Sequence, residues 1–165
     1  QLLWAAQGVT NEAGNRTAPS AGAKYPLEVY AVTKDGVFCY RPATHDLLRI
    51  RSGDHRASLW RHAFSAPGLA RAPVVFVIAA DYRRTASRYG KRAPRYVHIE
   101  VGHAAQNLLL QATAMKMHAL GVGAFRDKDV QRVLGLPKSH VPLYLLPIGR
   151  GPTTPAPGSR GRQQR

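Results

Sequence analysis

Seven consecutive apolar residues, Val74-Val75-Phe76-Val77-Ile78-Ala79-Ala80, constrain the fold more than any other stretch. A strand with one wet face alternates apolar and polar side chains, so an unbroken run of this length predicts a central strand buried on both faces. Burying it takes a sheet with layers against both sides, and the chain offers the parts. Leu27-Glu28-Val29-Tyr30-Ala31-Val32 and Val37-Phe38-Cys39-Tyr40 read as strands, and the Lys34-Asp35-Gly36 between them is a hairpin turn signal, so they should pair antiparallel. Leu143-Tyr144-Leu145-Leu146-Pro147-Ile148 reads as a last strand, and its proline suggests an edge position.

The helical layers come from the 3.6-residue period. From about Tyr96 to Leu120, Val101, Ala104, Ala105, Leu108, Ala112 and Met115 recur at i, i+3, i+4, i+7, i+11 and i+14. Glu100, His103, Asn107 and Gln111 form a second, polar stripe, which is either solvated or used to orient a ligand. Leu2 to Gly8 reads as the end of an amphipathic helix closed by a glycine. Asp127 or Asp129 is placed to cap a short helix that Gly135 ends. Val9 to Lys24 should be loop, His45 to Gly68 is polar and helical in part, and Gly151 to Arg165 should be a disordered basic tail. Strands and helices without regular βαβ alternation point to an α+β layer fold.

With 24 Lys+Arg against 9 Asp+Glu, the 165 residues carry a net charge of +15, yet 44% hydrophobic residues suffice for a core. No window approaches the roughly 20 apolar residues of a membrane helix, so the expectation is a soluble, cytoplasmic protein with no membrane partner. A single cysteine, Cys39, excludes an internal disulfide. Gln1 stands where a start methionine would, and the expectation is that an upstream segment is missing. Arginines cluster at Arg83-Arg84 and from Arg88 to Arg95. They should attract polyanions, but no helix-turn-helix, zinc-finger or RNA-binding signature accompanies them, so no specific nucleic-acid partner is expected.

Three segments invite catalytic readings. In Thr17-Ala18-Pro19-Ser20-Ala21-Gly22-Ala23, Ala18 replaces the first glycine of a G-x-S-x-G elbow and no strand precedes it, which argues against a serine hydrolase. The same loop has a stiffening proline, a hydroxyl and small residues that let backbone amides approach a planar or anionic ligand. His98 and His103 are five apart, unlike the i, i+4 histidines of H-E-x-x-H, so no metal site is expected. Gly121-Val122-Gly123-Ala124-Phe125 lacks the βαβ context of a dinucleotide-binding turn, though its glycines permit close backbone approach.

Taken in order, LLWAAQGVT, RTAPSAGAKYPLEVY, YRPATHDL, RYGKRAPRYVHIEVGHAAQNLLLQATA, VGAF, LGLP and PLYLLPIGR resemble the SagB-type branch of the FMN-dependent nitroreductases, from Gln1 to about Arg150. The resemblance implies a nitroreductase-like mixed, largely antiparallel sheet flanked by helices over residues 1–150. It also implies a homodimer with FMN in the interface and hydride transfer between flavin and a small-molecule or peptide substrate. Pro19, Ser20 and Gly22 match the family's loop near the flavin ring. Gly123 and Ala124 match the turn whose amides face the reactive ring nitrogen, Arg150 matches a basic residue for the phosphate, and Gln106 and Asn107 match the helix motif that positions flavin or loop.

There are departures from the family's pattern. No Arg-x-Ser-x-Arg-like phosphate segment precedes Leu2, Pro94 replaces an aromatic residue, and Lys24 replaces an apolar one. Where azoline-oxidising relatives carry a Lys-Tyr pair, this chain has Arg88 and Tyr89. Arginine stays protonated and cannot be a base, so either Tyr89 abstracts the proton with Arg88 as its electrostatic helper, or azoline oxidation is not the reaction. The alternative is a truncated, non-catalytic relative acting as a scaffold or peptide-binding module.

Overall fold

Residues 1–63 and 71–150 are described in a computed structural model; the expected tail and the end of the polar segment, 64–68, lie outside the described residues. Six strands form one sheet: β1 Leu27–Thr33, β2 Gly36–Arg41, β3 Asp46–Ser52, β4 Val74–Ala80, β5 His118–Ala119 and β6 Val141–Gly149. Their order is β3-β2-β1-β4-β6-β5, and every pairing among them is antiparallel. The helices are α1 Leu2–Gln7, α2 Arg56–Trp60, α3 Tyr82–Tyr89, α4 Ala93–Ala114 and α5 Asp127–Leu134. The architecture is α+β.

The apolar run behaves as its composition requires. Phe76, Ile78 and Ala80 of β4 point into a core shared with Val97, Val101, Ala104, Leu108 and Ala112 of α4, whereas Val75, Val77 and Ala79 point into a second core with Leu59 of α2 and Val130 and Leu134 of α5. At roughly 25 cal/mol per Å² of apolar area, two cores on one sheet make burial the main favourable term.

One expectation is extended and three are corrected. His45 to Gly68 holds a strand as well as a helix: β3 pairs with β2 and leaves Leu47, Leu48 and Ile50 exposed, so no inward alternation marks it. β6 is not at the sheet edge, because two-residue β5 pairs beyond it through Gly149 and Ile148, while Leu120 N–H donates to the Pro147 carbonyl. The long helix starts at Ala93, with Pro94 in the first turn where its missing N–H costs nothing, and stops at Ala114 rather than Leu120. Lys116, at φ +55°, breaks it. Neither Asp127 nor Asp129 caps α5; both lie in its first turn after Arg126, while Gly135 ends it in the left-handed conformation.

Candidate active site

The segment after α1 is strapped down before it becomes a loop of small residues. Thr17 N–H donates to the Gly8 carbonyl at 3.0 Å, the Thr17 hydroxyl donates to the Trp4 carbonyl at 3.1 Å, and Asn107 Nδ2 donates to the Thr17 carbonyl at 3.2 Å. Ala18 is fully buried. From there Pro19 turns outward and Ser20 is half-buried, its hydroxyl accepting the Tyr25 N–H at 2.8 Å. Past Ser20 the backbone turns left-handed: Gly22, Ala23 and Tyr25 have φ of +57°, +52° and +44°, a conformation that strains Ala23 and Tyr25 but not the glycine. Left-handed conformations cost an L-residue about 1–2 kcal/mol each, so the surroundings must enforce them.

What the loop meets is the end of α3. A Cβ on Gly22 would lie 2.8 Å from Tyr89 Oη and 3.1 Å from Arg88 Nη1, a gap that only a residue without a side chain leaves open. Gly22, Arg88 and Tyr89, distant in sequence, thus share one place. The Arg88 guanidinium lies 5.6 Å from the centre of the Tyr89 ring, and Tyr89 meets Tyr96 of α4 edge to face at 4.8 Å.

Beneath the loop is a polar group from the stripe expected to be either solvated or used to orient a ligand. Glu100 is only 2% exposed. Burial pushes its pKa up to about 7, against a hydrogen bond with Ser20 and the charge of Arg16, which pull it down. Its Oε1 has no partner among the described residues. Arg16 itself donates to Gln7 Oε1 at 2.8 Å and lies 4.5 Å over the Tyr25 ring. The expected stripe therefore splits: Glu100 is buried, Asn107 and Gln111 are half-buried, and His103 faces solvent. A signal was present, since Glu100 lies on the i+4 row of Ala104, Leu108 and Ala112.

The second group of expected residues lies elsewhere. Val122 exchanges two backbone hydrogen bonds with Leu145, at 2.8 and 3.0 Å, docking the glycine turn alongside β6. Gly121 is needed there because the Tyr144 ring crosses it: an added Cβ would stand 2.2 Å from Tyr144 Oη. Gly123 differs, since a Cβ there would meet only Tyr144 Cε2, at 4.0 Å, and its exposed backbone stays approachable. Gly123 lines a cavity of about 330 Å³ with His98, Val101, Gly102, Leu143 and Tyr144. Ala124 is exposed beside it, and Arg150 is exposed just beyond the end of β6.

Within one chain these two groups do not converge. Glu100 and Asn107 touch the small-residue loop, whereas His98 and Gly102 line the cavity at Gly123. At about 100° per residue, His98 and Glu100 are about 200° apart around α4, so the two groups occupy opposite faces of that helix. Gln106 is exposed on α4 and joins neither. His98 instead shares a 2.7 Å hydrogen bond with Tyr82 Oη, and among the described residues no three His, Cys, Asp or Glu are grouped to hold a metal. No helix of the described residues is long and apolar enough to cross a membrane.

Comparison with known proteins follows the same outline. Residues 1–150 match the Nitroreductase family. A candidate nitroreductase of Methanocaldococcus jannaschii is 44% identical over 155 residues, covering 90% of this chain and 77% of that protein. The crystal structure of a candidate nitroreductase from Ralstonia eutropha superposes with a TM-score of 0.83 at 26% identity, over 93% of this chain and 71% of that one. The E. coli microcin synthetase McbBCD complex, solved with truncated pro-MccB17 bound, contains a chain of the same fold. That chain has a TM-score of 0.81 and 22% identity, with 91% of this chain and 61% of that one aligned. Its fold and its sequence agree, and the chain belongs to the Nitroreductase family of oxidoreductases.

Proposed function

We propose that this chain is an FMN-dependent oxidoreductase of the SagB-type branch, whose site is completed by a second copy and which passes hydride between flavin and an organic or peptide substrate. The observation that carries it is the meeting of Gly22 with Arg88 and Tyr89, which joins a small-residue loop to a phenol and a fixed cation. The residues present fit a flat ring in two halves: the strained, side-chain-poor loop around Gly22, and the open backbone at Gly123. Because these halves lie on opposite faces of α4, a homodimer that brings one half from each chain is the arrangement that uses both.

Bound flavin would supply the two-electron chemistry. The chain's own residues do the rest. Pro19, Ser20 and Gly22 hold a backbone wall, and the Gly123 and Ala124 amides offer donors where negative charge develops. Arg150 offers a charge-assisted contact for a phosphate. Asn107 braces the loop through Thr17, and Gln106, exposed on the same helix, is assigned to the partner copy. Tyr89 Oη is placed to accept the substrate proton, with the Arg88 cation beside its ring. Residues 1–150 constitute the flavin domain, and the setting we assign is the cytoplasm.

The test is to purify the chain with added FMN and measure its absorbance and melting. A flavin spectrum and a Tm that rises with FMN concentration are expected. Absence of both removes the enzyme reading and leaves a truncated, non-catalytic relative acting as a scaffold or peptide-binding module.

A further inference from the structure

We infer that the corner between α3 and α4 is a docking strip for an acidic peptide segment of the substrate, an inference that rests on the active-site reading above. From Tyr82 to Ile99 the chain has six cations and no acid. Two of them are neutralised: Arg83 pairs with Asp81 at 2.6 Å and Arg84 with Glu28 at 2.5 Å. Among the described residues the side chains of the other four, Arg88, Lys91, Arg92 and Arg95, meet no carboxylate and make no hydrogen bond, Arg88 lying over the Tyr89 ring, and all four are exposed. Elsewhere Arg41, Arg56 and Arg132 each find an aspartate.

This concentration has a cost. Four like charges in eight residues repel one another, and Arg92 and Arg95 flank the start of α4, where the helix dipole favours anions rather than cations. Stability alone would place aspartate or glutamate there. A ligand that brings the missing negative charge removes the cost.

The position ties the strip to the chemistry. Arg92 is one helical turn before Tyr96; Tyr96 packs on Tyr89, and Tyr89 Oη faces Gly22. A chain lying across Arg95, Arg92 and Lys91 would present its neighbouring residues to Tyr89. The cations are spread over eight residues that run from the end of α3 into the start of α4. That spacing suits carboxylates distributed along an extended peptide better than a single phosphate, which calls for convergent donors. Electrostatic docking of this kind raises encounter rate and selects partners by charge.

The probe is a fluorescein-labelled decaglutamate, titrated with the full-length chain and followed by anisotropy at low salt, with and without FMN. Arg92→Glu with Arg95→Glu should weaken binding about tenfold, and Lys91→Glu alone about threefold. Arg49→Glu with Arg61→Glu, an equal charge change at exposed positions on β3 and just after α2, should change it less than about twofold. Circular dichroism and melting confirm that each variant folds. An equal loss in both double variants overturns the inference, as does a decathymidylate that binds as tightly and shows the same dependence on Arg92 and Arg95. Because the titration is read without flavin as well, failure of FMN binding leaves this result standing, and failure here leaves the FMN reading standing.

Discussion

Glu100 lies beneath Ser20, whose hydroxyl and the charge of Arg16 pull its pKa down against burial, so a helix residue with almost no exposure underlies a loop segment that faces solvent. Its raised pKa has a defined sign. The folded chain holds the proton more tightly than the unfolded one, so stability falls as pH rises from the ordinary glutamate value of 4.5 toward about 7, and stays lower above that. Melting followed from about pH 5 to about pH 8 should show a decline of several degrees, which Glu100→Gln flattens because the amide cannot ionise. An unchanged slope in the variant would mean that Glu100 is already charged in the folded chain.

Gly22 is where the loop tolerates least. Gly22→Val puts a side chain at φ +57°, costing about 1–2 kcal/mol of backbone strain, and drives it into Tyr89 Oη and Arg88. We expect a lower Tm and loss of FMN-dependent protection. Gly102→Ala is the control for folding alone: nothing within 4 Å opposes a Cβ there, so its Tm should not fall.

Tyr89→Phe removes one hydroxyl while keeping the edge-to-face contact with Tyr96. Substrate oxidation should slow by about 100-fold or more while FMN still raises the Tm. If turnover with any accepted substrate is unaffected, proton abstraction does not run through this phenol.

Arg150 separates phosphate recognition from ring recognition. Arg150→Gln should weaken FMN by about tenfold and riboflavin by less than about twofold, measured by flavin fluorescence quenching. Equal losses would mean that the side chain does not meet the phosphate.

Asp81 caps α3 through the Arg83 N–H at 3.1 Å, and hydrogen bonds from Arg83 hold its pKa down to about 2. Asp81→Ala should cost about 1 kcal/mol, mostly as a lost cap, because Arg83 is largely exposed and the ion pair contributes little. This stability is present above the ordinary value of 3.8 and lost as pH falls toward about 2, so acid melts of the variant and the parent should converge there.

Much of this architecture was legible where one physical requirement dominates. The run from Val74 to Ala80 has to be buried on both sides, and the two-residue Lys34-Asp35 connection permits little besides a hairpin. Strand β3 was not legible because Leu47, Leu48 and Ile50 stay in solvent, leaving no inward pattern to read. The end of α4 was overrun because Met115, Met117 and Leu120 continue the apolar character past the break at Lys116. For the candidate site, motif order proposes Ser20, Gly22, Arg88 and Tyr89, and only tertiary packing brings the Gly22 loop against α3. Glu100 was grouped with its polar neighbours by residue type, although its place on the row of Ala104 and Leu108 buries it.

The division of the site across α4 has a genetic consequence on the two-copy reading. A chain disabled at Gly22 and another disabled at Gly123 each form dead pairs with themselves. Mixed together, they form hybrids in which one centre draws both of its walls from undamaged sequence. Two null alleles should therefore complement each other in one cell, and neither could be scored by its behaviour alone.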